Sequence, residues 1–203
     1  SEGLRVEISV PAGEELAKRT FNPRLGITGG ISILGTSGIV RPMSEAALID
    51  SLRLELDVQA AAGGGDIVVT PGNYGEHFSR EVLHLSLDHW ATCSNYIGEA
   101  IDHAAGLGFR SFLLVGHLGK LCKAAAGNMN THSRVSDARR ETLAAHTALC
   151  GGDRTVVEAV FLAITTDEAV DILDRAGLRE PVMASLAGAL DQRLKARAGE
   201  DMD

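Results

Sequence analysis

Gly63-Gly64-Gly65-Asp66-Ile67-Val68-Val69-Thr70-Pro71-Gly72-Asn73-Tyr74-Gly75 starts as a glycine run, continues as a short apolar strand and ends in a proline-glycine-asparagine loop. A continuous apolar run bounded by breakers is the pattern of a parallel strand buried on both faces. Before it, Ser44 is a good N-cap with Glu45 in the first turn, and Ile49, Leu52 and Leu56 form one stripe of a helix reaching about Ala62. The glycine run stops that helix. Upstream of the helix, Gly29-Gly30-Ile31-Ser32-Ile33-Leu34-Gly35-Thr36-Ser37-Gly38 reads as an apolar strand running into a glycine-rich loop. Strand, helix and strand in that order make a right-handed crossover unit.

The unit repeats downstream. A helix is expected from about Phe78 to His84 and another from Asn95 to Gly106, with Ile97, Ile101 and Ala105 at helical spacing. Ser111-Phe112-Leu113-Leu114-Val115 is a further buried strand, entering Gly116-His117-Leu118-Gly119-Lys120 and a helix through Ala126. From Asp137 onward the pattern is helical only, over about 138–149, 154–164, 166–176 and 181–198, with Asp137, Asp153 and Thr166 as caps and Pro181 at a first helical position. The expectation is an α/β fold: an open, Rossmann-like parallel sheet with three visible strands, flanked by helices.

Composition agrees. Of 203 residues, 45% are hydrophobic, enough for a full core, and the scarcity of aromatics beside abundant Ala, Leu and Gly suits helices packed closely on a sheet. A net charge of −8 argues against nucleic-acid binding, which needs concentrated Lys and Arg. Cys93, Cys122 and Cys150 cannot all pair and form no C-x-x-C, so neither a disulfide framework nor a structural zinc site is expected. No apolar run is long enough for a bilayer and no signal peptide is visible, so a cytoplasmic protein with no membrane partner is expected. Leu4, Val6, Ile8 and Val10 alternate with polar residues like a half-buried strand with no local partner, whether the chain was simply trimmed or has lost an N-terminal domain. Residues 1–20 are therefore read as an orphan strand and linker from an absent N-terminal domain, and 21–203 as the α/β domain.

In an open parallel sheet, ligands bind outside the carboxyl ends of the strands, where helix N-termini converge. Gly29, Gly30, Gly35, Thr36, Ser37 and Gly38 lie in the glycine-rich loop, and Thr70, Gly72 and Asn73 in the loop after Val69. The first loop is neither a G-x-G-x-x-G dinucleotide fingerprint nor a phosphate loop, so it cradles a ligand or simply turns tightly. Asn95, Asn130 and Thr131 are neutral groups that orient a ligand or cap a helix. His117, just past a strand, suits proton transfer near neutrality, as does His132 in the polar loop Asn128–Arg134. Arg24, Lys120 and Arg134 are the cations available to an anionic ligand. His84, His89, His103 and His146 lack the spacing of a metal site, so structural roles are expected and no protein-bound metal.

Phe21-Asn22-Pro23-Arg24-Leu25-Gly26-Ile27-Thr28-Gly29-Gly30-Ile31-Ser32-Ile33-Leu34-Gly35-Thr36-Ser37-Gly38-Ile39-Val40 resembles the central motif of the cobalt-precorrin-5B C(1)-methyltransferases, the CbiD family. So do Thr70–Gly75, Cys93–Gly98, Val115–Lys120 and Asn130–Arg134, in order along nearly the whole chain. The resemblance implies a second domain with a four-stranded parallel sheet, preceded by an N-terminal domain. It further implies S-adenosylmethionine as methyl donor and cobalt-precorrin-5B as acceptor, giving cobalt-precorrin-6A on the anaerobic route to vitamin B12, with cobalt entering in the substrate. For that reaction, the positions of the residues lead us to expect the glycine-rich loop, Thr70, Gly72, Asn73 and Asn95 to face the donor. Arg24, Lys120, Asn130, Thr131 and Arg134 are expected to face the tetrapyrrole, with His117 and His132 catalytic; the resemblance itself assigns none of these roles. The expected partner is the absent domain or a second copy, and the rival reading is a truncated, non-catalytic ligand- or partner-binding α/β domain.

Overall fold

A computed structural model describes residues 3, 5, 7–20, 22–32, 44–199 and 202. The chain divides into two compact units, Ser1–Leu48 and Ile49–Asp203. In the first, a single helical turn, α1 (Gly13–Ala17), precedes a 3-10 turn over Asn22–Leu25. The Asn22 amide donates to the Gly30 carbonyl at 3.3 Å and to Ser32 Oγ at 3.2 Å, folding the double-glycine bend back onto that turn.

Helix α2 (Glu45–Ala61) begins where expected, with the Ser44 carbonyl accepting from the Leu48 N–H. Gly63 ends it at φ 87°, a left-handed conformation that costs glycine little. Three parallel strands follow: β1 (Asp66–Thr70), β2 (Trp90–Thr92) and β3 (Ser111–Leu114), in the order β2-β1-β3. Val69 of β1 stands beside Ala91 on one side and Leu114 on the other. Helix α3 (Asn73–Glu81) links β1 to β2, α4 (Ile97–Leu107) links β2 to β3, and α5 (Leu118–Ala125) leaves β3. Four helices complete the chain: α6 (Arg139–Leu149), α7 (Arg154–Leu162), α8 (Thr166–Arg175) and α9 (Arg179–Ala198). Among the described residues no helix is long and apolar enough to cross a membrane.

Two cores hold the larger unit together. One sets Leu52 and Leu56 of α2 and Ile97, Ala100, Ile101 and Ala104 of α4 against Ile67, Val69, Ala91 and Phe112 of the sheet. The other joins Cys122, Leu143, Val160, Leu173, Val182 and Leu186 from α5 to α9. Alanines at positions 100 and 104, both fully buried, let α4 lie close on the sheet. Helix α9 borders both cores, packing Leu190, Leu194 and Ala198 against the first and supplying Val182 and Leu186 to the second.

The α/β class with a three-stranded parallel sheet holds, but its members differ from the expected ones. Gly29 and Gly30 form a bend and Ile31 and Ser32 carry no strand, while 33–40 lie outside the described residues. The third strand is instead Trp90–Thr92, too short to leave a periodic trace in sequence. Glu55, buried in α2, accepts from the Thr92 N–H at 3.2 Å, serving the edge of β2. In the orphan-strand segment, Leu4 and Val6 lie outside the described residues and Glu7–Val10 carry no strand pairing.

Helix α3 starts at Asn73 rather than Phe78, so only Pro71 and Gly72 remain of the expected loop. The cap of α8 is Thr165, whose hydroxyl accepts from the Glu168 N–H at 3.1 Å, not Thr166. Asp153 caps α7 as expected. Asp137 caps nothing; its carboxylate pairs with the Arg139 guanidinium, which holds its pKa below the usual carboxylate range. Helix α9 begins two residues before Pro181, placing that proline third. The face of the sheet carrying Val68 and Leu113 is less covered than a doubly buried strand implies, with Leu113 46% exposed.

One close approach fixes the start of α3. A Cβ on Gly75 would stand 2.2 Å from the Val115 carbonyl oxygen and 2.9 Å from Thr70 Cβ. Gly75→Ala is therefore expected to cost about 1–3 kcal/mol, the usual price of overpacking, seen as a lower Tm. Gly106, inside α4 with open space where its Cβ would be, is the control. Gly106→Ala is expected to stabilise by about 0.5–1 kcal/mol, and chemical denaturation of both variants checks the opposite signs.

Candidate functional site

Parallel strands deliver three segments to one edge of the sheet: Pro71–Tyr74 after β1, Cys93–Tyr96 after β2 and Val115–Lys120 after β3. Helices α3, α4 and α5 start there, so their free N–H groups and dipoles favour negative charge at that edge. The junction is tight. A Cβ on Gly116 would meet Pro71 Cδ at 2.9 Å, so the chain after β3 passes directly against the chain after β1. Thr70 is fully buried, its hydroxyl accepting from Trp90 Nε1 at 3.0 Å.

Lys120 draws these ends together. Its Nζ donates to the Pro71 carbonyl at 3.3 Å, the Ser94 carbonyl at 3.1 Å and Asn95 Oδ1 at 3.0 Å. An ammonium has three hydrogens, and each finds an oxygen. Ser94 meets it from an uncommon backbone conformation, φ 51°, in the turn closed by the Tyr96 N–H on the Cys93 carbonyl. Burial pushes the Lys120 pKa below that of an ordinary lysine. Burial likewise pushes the Cys93 thiol up to about 12, opposed by the nearby Lys120 charge, so Cys93 is a neutral thiol near pH 7 and no ready nucleophile.

The polar loop expected at Asn128–Arg134 folds onto the same edge. Met129 accepts from the Gly98 N–H at 3.0 Å, Asn130 bridges Tyr96 in antiparallel fashion, and the Thr131 N–H donates to the Asn95 carbonyl at 2.9 Å. Beneath it Lys123, only 5% exposed, donates to the Thr131 carbonyl at 3.2 Å with Asp137 at 3.8 Å. Asn130 Oδ1 accepts from the His132 N–H at 3.1 Å, and His132 Nδ1 accepts from the Arg134 N–H at 3.1 Å.

His117 is the N-cap of α5: its Nδ1 accepts from the Gly119 N–H at 3.2 Å. The Tyr74 ring meets it edge-on at 5.6 Å, and Asp167 Oδ1, in the first turn of α8, lies 3.7 Å from Nε2. His117 and His132 thus share one local arrangement. In both, Nδ1 accepts from an N–H two residues on, which puts the proton of the neutral ring on Nε2.

Thr70, Gly72, Asn73, Asn95, His117, Lys120, Asn130, Thr131, His132 and Arg134 therefore share one edge of the sheet. Gly29, Gly30 and Arg24 belong to the first unit, Arg24 on its 3-10 turn, and Gly35, Thr36, Ser37 and Gly38 lie outside the described residues. Sequence reasoning overlooked Ser94, Tyr74, Lys123 and Asp167. The positions of Ser94 directly before Asn95 and of Tyr74 directly after Asn73 offered a hint; Lys123 and Asp167 matter through contacts made only in the fold. Three of the histidines set aside have structural partners: His89 with Gln59, His103 with Asp57, and His146 with Ser185. A cleft of about 670 Å3 lies elsewhere, between α5, α6 and α9, and no residue singled out for the site lines it.

The description "CbiD, C-terminal domain" matches residues 130–203, and "CbiD" matches residues 1–42. A cobalt-precorrin-5B C(1)-methyltransferase of Ruminiclostridium cellulolyticum is 50% identical over 97% of this chain and 51% of its own length. Proteins of the same name from a Thermoanaerobacter species and from Clostridioides difficile are 50% and 44% identical, over 87% and 98% of this chain and 48% and 49% of theirs. No solved structure matches. The chain spans about half the length of the curated relatives it matches. With matches at both ends and relatives similar along nearly all of it, the chain belongs to the CbiD family.

Proposed function

We propose that this chain carries the donor-binding part of an S-adenosylmethionine-dependent enzyme that methylates C-1 of cobalt-precorrin-5B, giving cobalt-precorrin-6A in cytoplasmic, anaerobic cobalamin synthesis. The observation that carries the reading is the meeting of Pro71–Asn73, Ser94–Asn95, His117–Lys120 and Asn130–Arg134 at one end of the sheet. The relatives named for this reaction supply the chemistry.

The edge suits such a donor. The space where a Gly72 Cβ would stand is empty, leaving the backbone at the start of α3 open to close approach, and Asn73 beside it is exposed. Bound there, the donor supplies a methyl group on a cationic sulfur, and transfer needs in-line placement rather than a covalent enzyme intermediate. Gly72, Asn73 and Asn95 line the donor side, with Thr70 supporting the strand end from within. Gly29, Gly30, Gly35, Thr36, Ser37 and Gly38 are assigned to the donor from the glycine-rich sequence of their loop alone.

On the acceptor side, Asn130 and Arg134 meet the macrocycle's carboxylates, offsetting the chain's net charge locally, and Arg24 of the first unit is assigned to them from its charge alone. The Lys120 charge acts through the oxygens it already holds. His117 and His132 direct an Nε2–H donor at the conjugated ring while Nδ1 stays engaged with the backbone.

Calorimetry of the chain with S-adenosylmethionine tests the donor site directly; absence of binding would remove it. Methyl transfer is then assayed for the chain alone and for a chimaera carrying the remaining half of the Ruminiclostridium relative. In whichever is active, His117→Ala is expected to lower transfer by roughly tenfold or more while donor affinity stays unchanged, and an unchanged rate would remove the histidine from the reaction. Charge reversal at Arg24 and Arg134 together is expected to weaken tetrapyrrole binding, increasingly so at low salt.

A further inference from the structure

We propose that Asn95 is the group through which this edge grips the carboxylate of the donor, and that Lys120 and Thr131 are positioning residues acting through it. The proposal rests on the donor-site reading and adds to it the atom that recognises the ligand.

The two ends of the Asn95 amide meet different surroundings. Asn95 Oδ1 receives Lys120 Nζ at 3.0 Å and the Thr131 hydroxyl at 3.4 Å. An amide nitrogen cannot accept either hydrogen, so these donors fix which end of the side chain is which. Its backbone is pinned too, because the Asn95 carbonyl accepts from the Thr131 N–H at 2.9 Å. What remains is Nδ2, with two N–H groups and no partner among the described residues, on a half-buried side chain.

Lys120 has no hydrogen left for a ligand, since Pro71, Ser94 and Asn95 take all three. Its service is to hold the acceptor end of Asn95 inward, and the left-handed backbone of Ser94 lets the neighbouring carbonyl share the same ammonium. A donor group fixed in this way loses little entropy when a ligand binds. The acceptor it fits is an anionic oxygen: two N–H groups face outward, an ammonium stands behind the amide, and α4 begins two residues further on. S-adenosylmethionine bears one carboxylate; the tetrapyrrole bears several, and the experiment separates these sources.

S-adenosylhomocysteine and methylthioadenosine, which lacks the amino-acid carboxylate, are titrated into the wild-type chain and into Asn95→Asp, Thr131→Val and Thr131→Ser. Asp keeps the oxygen that Lys120 and Thr131 hold, so its Tm is expected to be no lower than wild type, while the two outward donors are lost. Affinity for S-adenosylhomocysteine is expected to fall roughly tenfold or more, with methylthioadenosine little changed. Thr131→Val is expected to reproduce part of that loss and Thr131→Ser to restore it. Equal affinity in wild type and Asn95→Asp, or equal losses for the two ligands, would overturn the assignment.

If the wild-type chain binds neither nucleoside, the donor reading fails. The same variants titrated with cobyrinic acid then decide whether Asn95 grips a carboxylate of the macrocycle, and indifference there would overturn the proposal outright. The positioning role is read without any ligand from the Asn95 side-chain amide in a nitrogen-15 NMR spectrum. Its two proton signals are expected to be well resolved in wild type and in Thr131→Ser, and to broaden or merge in Lys120→Met and Thr131→Val. An unchanged pair in both of the latter would overturn that role.

Discussion

A single ammonium group holds the carboxyl end of the sheet in shape. Lys120 reaches back from α5 to a carbonyl after β1, a carbonyl after β2 and the side chain of Asn95, so segments separated by dozens of residues share one cation. Taking that cation out of water is costly, as the lowered pKa of Lys120 records. The cost is offset because three oxygens that would otherwise crowd one another acquire a common partner. Lys123, one turn further along α5, does the same for the carbonyl of Thr131. Two lysines in an alanine-rich helix thus order a polar edge that has little apolar surface of its own.

The arrangement explains how an acidic chain can offer a site to an anion. Net charge governs approach from a distance and is screened by salt, whereas binding depends on the few groups at contact. Here those groups are helix N-termini and an amide held in place by an ammonium, all at one edge. The histidines fit the same logic. Each is oriented by its own backbone through Nδ1, so ring direction and tautomer are settled before any ligand arrives.

Much of this was legible in the order of residues. Ile67 and Val69, set between a glycine run and Pro71, announce a buried strand, and the glycine after Ala62 announces the end of a helix. The rule that ligands gather at strand ends then picked out Asn73, His117 and Lys120 together, and Asn95 stood out as a neutral group at a helix start. What stayed hidden has physical causes. Trp90–Thr92 is a strand because β1 offers it a partner and Glu55 serves its edge, and three residues carry no period of their own. Lys120 read as a cation available to an anionic ligand because burial is a property of what surrounds a side chain, and its surroundings are Pro71, Ser94 and Asn95. Thr165 was distinguishable from Thr166, since only Thr165 has a glutamate three residues on, the pattern of a capping box, and its hydroxyl is the one that meets the Glu168 N–H.

Helix α9 touches both cores, and that has a bearing on how the protein is made. Leu190 and Leu194 complete the packing around the sheet, yet they are synthesised long after the strands they stabilise. On the ribosome, strands β1 to β3 emerge with that side of their core uncovered, and the edge that carries Lys120 and Asn95 gains its full support only once the chain has been translated through Ala198. A nascent chain arrested before α9 would expose apolar sheet surface to chaperones and proteases.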